Sequence, residues 1–143
     1  MRVALTAYAH NHQGWFPSST NGPAAALQSL YPDYSPTGTE LAGISGDIPA
    51  AVEALRAGRP LDSTLTSWRY VAGLRDDDEP NLALLWEAKS GLRADGRRNP
   101  GHTRAVILVS GIIVDVAEKD WPKFLEEQEI LATATRQKRP SPP

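Results

Sequence analysis

The side chains able to do chemistry are few in this chain of 143 residues, and they are scattered. There is no cysteine, which removes disulfides, thiolate zinc sites, iron–sulfur clusters and a thiol nucleophile together. The histidines are His10, His12 and His102. The first two lie two positions apart at the end of a predicted helix and point to different sides, whereas a helical metal pair needs a spacing of three or four. Ser45 sits in Gly43-Ile44-Ser45-Gly46. That run touches the G-x-S-x-G nucleophile elbow, but its second glycine comes too early and no strand precedes it. Ser45 therefore reads as a loop serine.

Carboxylates offer more. Asp76, Asp77 and Asp78 run into Glu79-Pro80 between two predicted strands. Consecutive carboxylates on a tight loop are hard oxygen donors suited to calcium, so these three are the candidate metal ligands. The spacing is not that of an EF-hand, and a solvated turn is the plainer reading. Asp62, Glu87 and Asp115 flank or interrupt predicted strands, where a fold could pair carboxylates distant in sequence. Asp115 is a lone charge in an apolar strand, expected to face outward on a partly exposed hairpin.

Phosphate chemistry finds no support. Gly91, Gly96 and Gly101 match neither G-x-x-x-x-G-K-[ST] nor G-x-G-x-x-G. Arg93, Arg97, Arg98 and Arg104 crowd the same polar stretch, which reads as a solvated loop or as an anion or partner contact. With no nucleophile beside an orienting base, the expectation is a chain that is not an enzyme and needs no catalytic residue or cofactor, calcium aside.

These residues have to be placed by a small set of elements. Val3, Ala4, Ala7 and Tyr8 share one face of a helix over 3–12, stopped by Gly14 and Pro17. That helix has almost no N-terminal capping signal. Pro23 opens a short helix to Leu30. Asp47 caps another over 49–57, closed by Gly58. Strands follow over 67–71, 82–87, 105–109 and 112–116, the last two joined by a two-residue Ser110-Gly111 turn. A final helix over 121–134 has Asp120 as its expected N-cap. It carries the stripe Trp121, Phe124, Leu125, Gln128, Leu131 and Ala132, predicted to cover the 105–116 hairpin. Helices then strands imply an α+β fold: short N-terminal helices, a four-stranded antiparallel sheet of two hairpins, and a C-terminal helix. Residues 1–135 are expected to form one domain and 136–143 a disordered polar tail.

Composition sets the outer limits. Apolar residues make up 41% of the chain, enough for a core. Net charge is -2, without the basic surplus that nucleic acid or an anionic membrane surface would draw on. No stretch approaches the roughly 18 apolar residues of a membrane helix. Trp15, Phe16, Trp68, Tyr70, Trp86, Trp121 and Phe124 read as core packing, or as a sugar- or peptide-binding stripe.

The segment Ala4-Leu5-Thr6-Ala7-Tyr8-Ala9 through Gly14-Trp15-Phe16-Pro17 resembles the stretch after the membrane helix of type IV pilin-like and type II secretion pseudopilin-like (prepilin-type) bacterial proteins, close to ALxxYAxDxxGxYP. Ala25-Ala26-Leu27 to Leu30-Tyr31-Pro32 resembles their next short helix. Residues 104–128 resemble their ending of strand, turn, strand and helix, with Ser110-Gly111 where those proteins have D-G. The resemblance covers about two thirds of the chain. It implies the globular part of such a protein without its N-terminal membrane helix: a non-catalytic structural component of a secretion or surface-filament system. Its partners would be the protein subunits of that assembly. The location it implies is extracytoplasmic, in periplasm or cell envelope, or cytoplasmic if the printed start is the true one. Two other readings stand beside it: a free-standing ligand- or protein-binding domain using an aromatic surface, and an unrecognised hydrolase.

Overall fold

The spacing of Ala4, Leu5 and Ala9 produces the first helix, α1 (Arg2–Asn11), which buries those three residues. A computed structural model describes residues 1–92 and 97–138. No side chain caps the start of α1, in keeping with the missing signal in the sequence, so the helix is stabilised by the packing of one face. Marginal short helices depend on such packing. Helix α2 (Pro23–Leu27) runs on as one 3₁₀ turn to Leu30. Helix α3 (Ile48–Arg56) is capped as expected, Asp47 Oδ1 accepting from Ala50 N–H at 3.1 Å.

The sheet is an antiparallel meander in chain order, β1 (Trp68–Tyr70), β2 (Ala83–Glu87), β3 (Thr103–Leu108) and β4 (Ile113–Ala117). The α+β class with helices before the strands and one helix after them is what the chain adopts. Two differences concern the hairpins. The β3–β4 loop is longer than two residues: Leu108 N–H donates to Ile112 O at 2.9 Å, so Val109, Ser110 and Gly111 form the turn. Val109 leaves the hairpin because its N–H pairs with Leu82 O on the β2 side at 2.8 Å. Gly111 then takes φ 78°, a conformation that glycine reaches without a Cβ clash. The second difference is that β4 is an edge strand, and Ile113 stays exposed while residues 105–108 of β3 are buried; Asp115 faces outward as expected.

Both sheet faces are covered, by different helices. Leu84, Leu85, Ile107 and Val109 pack with α1, α2 and α3. On the other face Ala83, Val106 and Leu108 meet Trp121 and Phe124 of α4 (Trp121–Lys138). Helix α4 runs on through residues 136–138, which were expected in the tail. The remainder of that tail, and Arg93 and Gly96, lie outside the described residues. Asp120 is not a simple N-cap but the last residue of a 3₁₀ turn, Glu118–Asp120, that leads into α4. Among the described residues no helix is long and apolar enough to cross a membrane.

Candidate functional site

Glu87 ends the apolar run of β2 with no exposed surface. A buried carboxyl is costly unless its oxygens are hydrogen-bonded. Here Oε1 accepts from Ser45 Oγ at 2.7 Å, and Oε2 accepts from Ile44 N–H at 2.9 Å and Ser67 Oγ at 2.8 Å. Ser67 Oγ in turn accepts from Ser45 N–H at 3.2 Å. The loop over residues 40–45 is thereby sewn to the 66–68 segment. Thr66 Oγ1 donates to Leu41 O at 2.7 Å, Ser67 N–H to Ala42 O at 2.8 Å, and the Trp68 indole N–H to Glu40 O at 2.8 Å. Gly43, at φ 85°, sits where a Cβ would collide with Ser67 Oγ.

The loop held in this way forms one wall of a groove of about 500 Å³ beside the start of α1. Val3, Ile44, Ile48, Trp68, Ile107 and Ile113 line it, with Arg2 and Glu40 among its polar neighbours. Three of these apolar side chains are open to water: Val3 is 74% exposed, Ile48 44% and Ile113 43%. Isolated exposed apolar residues need no explanation, whereas these three share one groove. The hydroxyls of Ser45 and Ser67 both donate to the Glu87 carboxyl, and among the described residues no imidazole or amine bonds to either. The arrangement positions the loop: one buried carboxyl gathers two hydroxyls and a backbone N–H.

The carboxylates singled out from the sequence separate. By register Glu87, Ala105 and Asp115 lie in one row across β2, β3 and β4, yet the 43–45 loop covers Glu87 and Asp115 remains in water. Asp62 is exposed and closes a turn, accepting from Thr64 Oγ1 at 2.6 Å and Thr64 N–H at 2.8 Å; these bonds, the hydroxyl first, hold its carboxyl below the ordinary range. Asp77 pairs with the Arg75 guanidinium at 2.9 Å, Asp78 accepts from Arg75 N–H at 2.6 Å, and Asp76 lies against Gly14. Among the described residues no three His, Asp or Glu side chains gather as a metal site would.

All three histidines are exposed, and His12 stacks on Tyr8 with ring centroids 3.7 Å apart. Arg104 leaves the arginine cluster: it donates to Ala88 O at 3.0 Å, pairs with both Glu118 oxygens, and covers the Trp121 ring at 4.3 Å. Tyr70 is buried, its hydroxyl donating to Pro17 O at 2.8 Å.

A second groove of about 490 Å³ lies between α4 and the β1–β2 side of the sheet, lined in part by Val71, Leu74, Trp86, Phe124 and Ala132. The partners of Glu87 could not be read from the sequence, because 20 and 42 positions separate it from Ser67 and Ser45. The available signal was a charged residue closing an apolar strand. Ile48 carried another, an apolar residue directly after an N-cap. Compared with protein-family models, curated proteins and solved structures, the chain matches none.

Proposed function

We propose that this chain is a non-catalytic, pilin-like structural component of a secretion or surface-filament assembly, and that the groove beside the start of α1 is a subunit contact. The observation that carries the reading is the set of exposed apolar residues, Val3, Ile48 and Ile113, round a groove whose wall is fixed by Glu87. Burying about 25 cal/mol per Å² of such surface favours association. The helix-on-antiparallel-sheet arrangement, with α1 adding Ala4, Leu5 and Ala9 to the sheet core, supports the same reading. In source cells the wild-type chain should co-fractionate with a high-mass envelope assembly. Val3→Glu and Ile48→Glu should release it while the isolated protein keeps its thermal midpoint. Retention of both variants in the assembly would contradict the reading.

A second reading, a ligand-binding domain with an aromatic surface, rests on the groove between Trp86 and Phe124. Its volume falls within the range of small-molecule sites, roughly 300–1,000 Å³. Saturable quenching of tryptophan fluorescence by an apolar ligand, abolished by Ala132→Trp, would favour it over the first.

A further inference from the structure

The outer edge of the sheet is open along β4. Two bonds bracket its pairing with β3: Leu108 N–H donates to Ile112 O and Glu118 N–H to His102 O, both at 2.9 Å. Because hydrogen-bonding direction alternates along an antiparallel strand, the even-numbered residues of β4 bond to β3. The backbone groups of Ile113, Asp115 and Ala117 therefore point outward. Among the described residues no fifth strand lies beside β4. An unpaired edge is a template for another strand, and inward or edge charges are the usual guard against it.

Asp115 is that charge. It is exposed, stands between the apolar residues Val114 and Val116, and no cation among the described residues pairs with it. In a β4-to-β4 pairing centred on this residue, two Asp115 carboxylates would meet directly, and like charges opposite each other disfavour a pair. A strand with a cation at that position would instead gain an opposite charge. Its neighbours two positions away on the same face would lie against Ile113, which is 43% exposed, and Ala117.

We propose that the β4 edge is a docking site for an extended protein segment of the pattern apolar–x–Lys/Arg–x–apolar, with Asp115 selecting the cation and rejecting a second copy of the same edge. The inference does not rest on the pilin-like reading: it concerns backbone pairing on β4, which shares only Ile113 with the apolar residues round the α1 groove.

The probe is a capped peptide, Val-Thr-Lys-Thr-Val, compared with Val-Thr-Glu-Thr-Val, and the readout is amide exchange at Ile113, Asp115 and Ala117 in the full chain. The lysine peptide should slow exchange at all three, with the glutamate peptide binding roughly threefold to tenfold more weakly, as expected of a cross-strand charge pair. Asp115→Lys should reverse the preference, with salt reducing it in both proteins. Equal binding of the two peptides, or no protection at the three amides, would overturn the proposal. So would protection that depends on protein concentration without peptide, since that would assign the edge to a second copy. Circular dichroism of Asp115→Lys and Asp115→Asn checks folding; Asp115→Asn should bind both peptides alike.

Discussion

The side-chain amide of Gln128, on α4, occupies a place in the hydrogen-bond pattern of β2 that no strand fills. Its Oε1 accepts from Ala83 N–H at 2.7 Å and its Nε2 donates to Asn81 O at 3.2 Å. The need arises at a register shift between Ala83 and Leu85, where β2 gains a residue against β3. A bulge of this kind interrupts the regular ladder, and the helix side chain restores two bonds there.

Replacing Gln128 by Ala should therefore destabilise the fold by about 1–3 kcal/mol, the cost of leaving a backbone donor without its partner. Urea titration measures the loss, and exchange at the Ala83 amide should accelerate with it. A change below roughly 0.3 kcal/mol would mean that water replaces the side chain without cost.

Glu87 gives a graded prediction. Leu at this position strands Ile44 N–H and the Ser45 hydroxyl and leaves the Ser67 hydroxyl only Ala42 O as an acceptor, so Glu87→Leu should lose about 2–5 kcal/mol. Glu87→Gln keeps one carbonyl oxygen for Ile44 and Ser67, while its amide can donate to a reoriented Ser45 hydroxyl. It should retain more than half of the stability lost by Leu. Equal losses in the two variants would show that the side chain matters only through its volume.

Phe124 stacks on Trp121 with centroids 5.3 Å apart and lines the α4 groove, but remains half-buried. Its truncation to Ala should cost about 1–3 kcal/mol, less than the roughly 3–5 kcal/mol of a fully buried phenylalanine. Differential denaturation of the two proteins in urea reads the difference.

Burial, with the neighbouring Tyr8 as the lesser cause, raises the Tyr70 phenol well above the ordinary tyrosine range. The unfolded chain releases this proton near pH 10 and the folded chain does not. The stability contributed by neutral Tyr70 is thus complete below about pH 10 and falls as pH rises beyond it, because the folded state then binds more protons. Urea midpoints measured on both sides of this pH should show a decline that Tyr70→Phe reduces. An unchanged decline in the variant would assign it to other groups.

Local chemistry made much of the fold legible. Asp47 announced α3, the apolar runs at 82–87 and 105–109 announced the central strands, and Trp121 with Phe124 announced the cover of the second face. What stayed hidden depended on register. The longer β3–β4 turn follows from Val109 pairing across to Leu82, a contact that no local pattern encodes. The position of β4 at the edge explains why Ile113 is exposed despite an apolar sequence. The site was legible in parts only: Glu87 stood out as a charge beside a strand, but its hydroxyl partners and the groove of Ile44 and Ile48 required the tertiary fold. Conversely, Arg104 looked like one of several loop cations and is instead a clasp between Ala88, Glu118 and Trp121.

The central claim is that the apolar ring beside α1 is covered by partner subunits when the chain is in its assembly. Maleimide labelling of Val3→Cys, compared between purified protein and source cells, tests it most directly. The native chain has no cysteine, so the introduced thiol reports alone. Glu127→Cys, on the exposed side of α4, controls for reagent access. The account predicts fast labelling at both positions in the purified protein, and in cells fast labelling at residue 127 with protection at residue 3. Equally fast labelling of both positions in cells would contradict it.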